Sequence, residues 1–199
     1  VISVKGISKD IPRPGARCGW MEYYNRDKDT DFNQFCEVLD NAKMIEVCST
    51  KLPQLAIPEI LGDSRYKAYR QQTNESIGKR SKIISKILGS VPQLTFNETY
   101  GAFYNTIIFR EGVLKQGQKL KIADDKVRDL VEAWTSDTNI PLDKRFVYYL
   151  LGAKGVCVVP ISSFCSELSG FRVTLLEEDE EILTKTFNAI KEGVVEYLA

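Results

Sequence analysis

The stretch Ile7–Trp20, ISKDIPRPGARCGW, sets a lysine, Lys9, and an arginine, Arg17, on either side of a Pro/Gly-rich reversal. The preceding VISVKGIS reads as a strand ending near Ser8, and ARCGWMEYYN reads as the next strand. Pro12 and Pro14 fix φ and Gly15 permits a sharp turn, so both cationic side chains are expected at the same end of a sheet. A lysine used covalently must lose its proton, which burial or a nearby cation favours. An arginine offers phosphate a planar fork of donors. Together they suggest an anionic carbonyl ligand, although a surface lysine and an arginine paired with some carboxylate fit the same spacing.

A third cation, Arg172, lies in FRVTLL between Phe171 and Val173. An arginine in so apolar a setting needs an anionic partner, because an unpaired buried charge is costly. A structural salt bridge to one of Glu177–Glu181 is one solution, and a ligand carboxylate is the other. The acidic run LEEDEE reads as a solvated helix N-terminus rather than a metal site. Tyr23, Tyr24, Tyr148 and Tyr149 read as packing residues, and Cys18 as a core thiol.

Composition narrows the chemistry. Histidine is absent, which excludes a Ser-His or Cys-His nucleophile pair within the chain and removes the commonest metal ligand. Five cysteines, scattered and without a C-x-x-C pair, fit neither a disulfide framework nor a zinc site and read as reduced, mostly buried small hydrophobes. Lys+Arg and Asp+Glu balance at 27 each, so net charge suggests neither a nucleic-acid nor a membrane-surface partner. No apolar run approaches a bilayer span and the first residues lack a signal-peptide layout, so a cytoplasmic location is expected by default. The first residue is Val rather than Met, so the chain is not expected to start where its gene starts.

The elements that must position these residues follow from periodicity. Asp29 to Lys43 carries Phe32, Phe35, Cys36, Leu39 and Ala42 at helical spacing, and EVCSTKLPQ, with Pro53, interrupts it. Ser64 to about Leu88 predicts one long, largely exposed helix ended by Gly89 and Pro92. Beyond it, Ala102 to Phe109 predicts a strand, and Lys126–Thr135 and DKRFVYYLLGAK predict helices. GVCVVP and FRVTLL predict strands. The last stretch predicts a helix with Ile182, Leu183, Phe187, Ile190, Val194 and Leu198 on one face. Strand, helix, helix, strand, strand, helix is a compact α/β layer.

SKDIPRPGARCGW resembles the signature around the cofactor lysine of class I/II pyridoxal-phosphate (PLP) aminotransferases, Ser-x-Ser-Lys followed by Pro-Gly-x-Arg-x-Gly. Ser8, Lys9, Pro14, Gly15, Arg17 and Gly19 match, and Gly6 stands where the first serine is usual. The resemblance implies that Lys9 anchors PLP covalently and acts as proton carrier, while Arg17 and Ser8 hold the phosphate. CSTKLPQLA resembles the segment that reaches the neighbouring subunit's cofactor in a homodimer, with Ser49 and Thr50 as polar contacts. YGAFY resembles the strand that opens the small domain, and GVCVVPISSF a Gly-(Ile/Val)-x-(Val/Leu)-x-Pro-Gly-x-x-Phe segment, with Ile161 in place of glycine. Arg172 then stands where the family holds the substrate carboxylate.

The fold implied is α/β: the tail of the large domain of a PLP fold type I enzyme over 1–62, a connecting helix over 63–90, and the small C-terminal α/β domain over 91–199. The function implied is amino-group transfer between an amino acid and a 2-oxo acid, with no metal. The alternatives are a PLP lyase or decarboxylase on the same scaffold, or an aminotransferase-like effector domain of a transcription regulator. The resemblance covers about the C-terminal half of such an enzyme, so these 199 residues alone are expected to be inactive. Aspartate-type enzymes place an arginine just before the CSTKLPQ-like segment. Here only Lys43 is nearby, which does not support a dicarboxylic substrate.

Overall fold

The computed structural model describes residues 1–199, which divide into two compact units, Val1–Arg70 and Gln71–Ala199. The first opens with an antiparallel hairpin of β1 (Ile2–Gly6) and β2 (Gly19–Tyr23), registered from Ile2↔Tyr23 to Gly6↔Gly19. Gly19 is required there, since a Cβ would sit 2.7 Å from the Lys5 carbonyl oxygen. Between the strands lies α1 (Ile7–Asp10), a single helical turn. The expected strand therefore stops at Gly6, two residues early. The cause is the pair Ile7 and Ile11, 3% and 8% exposed, whose i,i+4 spacing buries both only if the backbone coils.

Next comes α2 (Thr30–Met44), whose N-cap Asp29 accepts a bond from the Phe32 amide at 2.8 Å. After it comes α3 (Lys51–Gly62). The expected interruption around Pro53 is short, because Pro53 occupies the third position of α3, where no intrahelical N–H bond is needed. The long helix α4 (Tyr66–Leu88) matches the predicted one and passes into the second unit.

In the second unit, β3 (Leu94–Thr95), β4 (Tyr104–Phe109), β5 (Val159–Pro160) and β6 (Gly170–Thr174) form an antiparallel sheet in the order β3-β4-β6-β5. The helices are α5 (Asp125–Trp134), α6 (Leu142–Lys154) and α7 (Glu180–Leu198). β4 starts two residues later than expected, after Ala102 adopts a left-handed φ of 59°. β5 keeps only two residues of GVCVVP, ending at Pro160, which has no N–H for a ladder.

Alternation gives this sheet one buried face, with Asn105, Ile107, Phe109, Phe171 and Val173, and one open face. The buried face packs on Phe146 of α6, where Phe109 meets it edge-on at 5.0 Å. Leu183, Phe187, Ile190, Val194 and Tyr197 of α7 complete the core. Ile182, expected on that face, is 52% exposed, because the buried stripe runs through Tyr197 instead. The cysteines also differ from expectation: only Cys36 is buried, Cys18 is half-buried, and Cys48, Cys157 and Cys165 are exposed.

Candidate active-site residues

In the first unit the hairpin register puts Lys9 and Arg17 beyond one and the same end of the β1–β2 sheet, past the Gly6–Gly19 pair. The last ladder contacts are the Ile7 amide to the Cys18 carbonyl, 3.2 Å, and the Arg13 amide back to the Ile7 carbonyl, 3.0 Å. These bonds tie the turn of α1 to the loop carrying Arg17. Lys9 is exposed on α1, and Ser8 beside it is half-buried. Arg17 is an exposed non-glycine residue in the left-handed region, φ 48° and ψ 53°, stitched by its own Nη1 to the Pro14 carbonyl at 3.0 Å. A non-glycine residue there costs about 1 kcal/mol or more, and such residues cluster at ligand sites. A primary amine, a guanidinium and a hydroxyl on one loop fit the aldehyde and phosphate ends of PLP in donor chemistry.

Ser49 and Thr50 are exposed in the α2–α3 connection. Thr50 is the N-cap residue of α3 without a side-chain capping bond, and Ser49 Oγ accepts from Lys43 Nζ at 3.0 Å. Lys43 also pairs with Glu46.

In the second unit Arg172 stands on the open face of the sheet, opposite Thr106 on β4 and Val159 on β5. Its guanidinium lies over the Tyr104 ring at 4.5 Å and the Phe164 ring at 4.3 Å. Two aromatic faces stabilise the cation and fix its plane while leaving its N–H edge to an acceptor. The salt bridge to Glu177–Glu181 is not formed. Arg80 of α4 takes Glu178 at 3.7 Å and donates to the Leu175 carbonyl at 2.9 Å, while Asp179 caps α7 through the Glu181 and Ile182 amides. The acidic run is thus spent on α4 and on a helix terminus.

Sequence reasoning did not find the aromatic clamp or its support. Asp143, wholly buried at the start of α6, accepts from the Ser162 amide at 2.9 Å, Ser162 Oγ at 2.6 Å and the Gly170 amide at 3.3 Å. It therefore fixes both the turn that carries Phe164 and the first residue of the strand that carries Arg172. Strand register could have paired Tyr104 with Arg172, since both side chains share a face. Nothing in PLDKRF announces a buried carboxylate. Among the discounted residues, Tyr149 is buried and Tyr24 is half-exposed. Tyr23 donates to Asp40 at 3.1 Å, and burial, then that bond, raise its pKa above the ordinary tyrosine value.

No protein-family model matches the chain. It is 47% identical over 197 residues to an uncharacterised aminotransferase of Methanocaldococcus jannaschii, covering 99% of this chain and 45% of that protein. It is 27% identical over 197 residues to a probable mitochondrial alanine aminotransferase of Dictyostelium discoideum, covering 92% of this chain and 32% of that one. Its fold is similar to that of an alanine aminotransferase from Pyrococcus furiosus, with a TM-score of 0.75 and 22% identity, covering 98% of this chain and 42% of the other. The chain spans less than half the length of these relatives. In sequence and in fold it is similar to the C-terminal portion of aminotransferases.

Proposed function

We propose that these residues are the C-terminal half of a PLP-dependent aminotransferase that moves an amino group from an amino acid to a 2-oxo acid. The observation that carries this reading is the placement of Lys9 and Arg17 beyond one end of the same hairpin, with Ser8 on the same turn as Lys9. PLP, when bound, supplies the electron sink for carbanion chemistry at the amino acid's Cα. Lys9 would hold it covalently, then, once displaced by substrate, carry the Cα proton. Arg17 and Ser8 would hold the phosphate, and Arg172, oriented by the Tyr104 and Phe164 rings, would donate to the α-carboxylate.

A homodimer in the cytoplasm is the assembly we propose, with Ser49 and Thr50 turned to the neighbouring subunit's cofactor. The exposed apolar side chains beside them, Met44, Ile45, Val47 and Leu52, support a covered rather than a solvated surface. No helix is long and apolar enough to cross a membrane. Alanine is the first donor to assay, because two of the relatives carry it in their names.

The test compares two purified proteins incubated with PLP: this chain, and the chain extended to the length of its relatives. The extended protein is expected to show the visible absorption band of lysine-bound cofactor, fixed by borohydride reduction onto the peptide containing Lys9 and lost in Lys9→Ala. The 199-residue chain is expected to show none. A reduced adduct mapping to another lysine would sink the assignment.

A further inference from the structure

The core of the second unit holds a cation with no carboxylate at ion-pair distance; Glu132 is near enough to feel its charge but is paired with Lys119. Arg145 of α6 is 7% exposed, yet no carboxylate of the chain pairs with it. Its Nη1 donates to the Thr135 carbonyl at 2.7 Å, and its guanidinium lies over the Tyr149 ring at 5.2 Å. Nε has no acceptor. Neither do the buried hydroxyls of Tyr149 and Tyr197, whose rings are 6.0 Å apart. Burial pushes the Tyr197 hydroxyl up to about 12, so it remains an O–H group at neutral pH. Unpartnered polar groups therefore gather in one place; the phenol oxygens are neutral acceptors, Tyr197 close enough to Arg145 to feel its donors, but none of the groups carries a negative charge. Such groups cost free energy until a partner arrives, and a buried cation adds the cost of its charge.

Arg145 and Tyr149 line a cleft of about 400 Å³. Lys119 and Glu132 also line it, paired with each other at 2.7 Å, so the charged side chains leave one positive charge in excess. With Nη1 taken by Thr135, the remaining guanidinium edge is Nε–Nη2, the edge that forms two parallel bonds to one oxyanion. Water could satisfy the hydrogen bonds but not the charge.

We propose that this cleft binds a small oxyanion, a carboxylate or a phosphate, on the Nε–Nη2 edge of Arg145, with the Tyr149 hydroxyl as a further donor. The inference rests on the buried donors alone and is independent of the aminotransferase reading.

The arginine Nε–H resonances of the ¹⁵N-labelled chain would be followed while inorganic phosphate is added in one arm and acetate in the other. Sodium chloride at matched ionic strength is the control. Arg145 is assigned by the resonance lost in Arg145→Lys, which keeps the charge and removes the fork. A saturable shift of that resonance is expected in at least one arm, and the arm that saturates at lower concentration names the source chemistry. Tyr149→Phe, which removes one hydroxyl from an otherwise unchanged ring, should weaken binding roughly tenfold, as expected for a hydrogen bond to a charged group. It carries the test alone if Arg145→Lys does not fold. The proposal is overturned if neither anion shifts the resonance beyond the chloride control, or if Tyr149→Phe binds as tightly as the parent.

Discussion

At the scale of single residues, the chemistry depends on how each cation is held. Arg172 is held by aromatic rings rather than by charge: Tyr104 at 4.5 Å, Phe164 at 4.3 Å, and no carboxylate of its own. That arrangement leaves the guanidinium's hydrogen-bonding edge for a ligand, which a structural salt bridge would not. Its two contributions can be separated by substitution. Arg172→Lys keeps the charge but loses the fork and most of the ring contact. In the extended enzyme it should raise the KM for the amino acid by roughly tenfold to a hundredfold, the worth of a charge-assisted bidentate pair. Phe164→Leu keeps the arginine and removes one ring, worth about 0.5–1 kcal/mol, so its effect should stay within several-fold. Steady-state kinetics on both variants checks the order. Equal effects would mean that the clamp, not the fork, carries binding.

At the scale of elements, what was legible in the sequence and what was not divide along a physical line. The long helix over Tyr66–Leu88, the paired helices α5 and α6, and the core stripe of α7 were visible because their periodicity runs over many residues. The turn carrying Lys9 was not, since four residues of helix leave no period to read and the β-branched run before it continues the strand pattern. The start of α3 was obscured by Pro53, a helix breaker in general but harmless in a first turn. The spacing of Lys9 and Arg17 alone left a surface pair open, and only the resemblance singled those residues out, whereas nothing marked Asp143, because its role comes from contacts 19 and 27 residues away.

Those contacts predict its weight. Asp143→Asn keeps the size of the side chain but gives up the charge behind three bonds that tie Ser162 and Gly170 to α6. Bonds to charged groups contribute about 1.5–3 kcal/mol each and are not additive. A loss of about 2 kcal/mol in urea unfolding is therefore expected, together with faster hydrogen exchange through Ile161–Gly170. Asp143→Ala, which also opens a cavity, should cost more. A neutral Asp143→Asn would mean that the turn is fixed by Ile161 and Phe171 packing alone.

At the scale of the whole molecule, the two units differ in how much apolar surface each encloses. The second has a contiguous core from Ile84 to Tyr197, with Leu88, Ile107, Phe146, Phe171, Leu175 and Val194 wholly enclosed. In the first, the buried apolar residues are Ile7, Ile11 and Cys36, while Val38, Met44, Leu52 and Leu55 lie open on α2 and α3. Apolar burial is the main favourable term in folding, at about 25 cal/mol per Å². Local stability should follow it. In the 199-residue chain, amides of α2 and α3 are expected to exchange at least a hundredfold faster than those of β4, β6 and α7, a gap of about 3 kcal/mol.

The aminotransferase reading adds a second, sharper expectation. In the protein extended to the length of its relatives, protection in α2 and α3 should rise towards that of the second unit, because the added polypeptide and the partner subunit would cover those side chains. Protection in β4, β6 and α7, whose core is already closed, should stay nearly unchanged. Hydrogen exchange followed by mass spectrometry on both lengths decides between the outcomes. Equal protection throughout the short chain would refute the burial argument. An extended protein whose α2 and α3 remain as labile as before would refute the assignment of this surface to the rest of the enzyme.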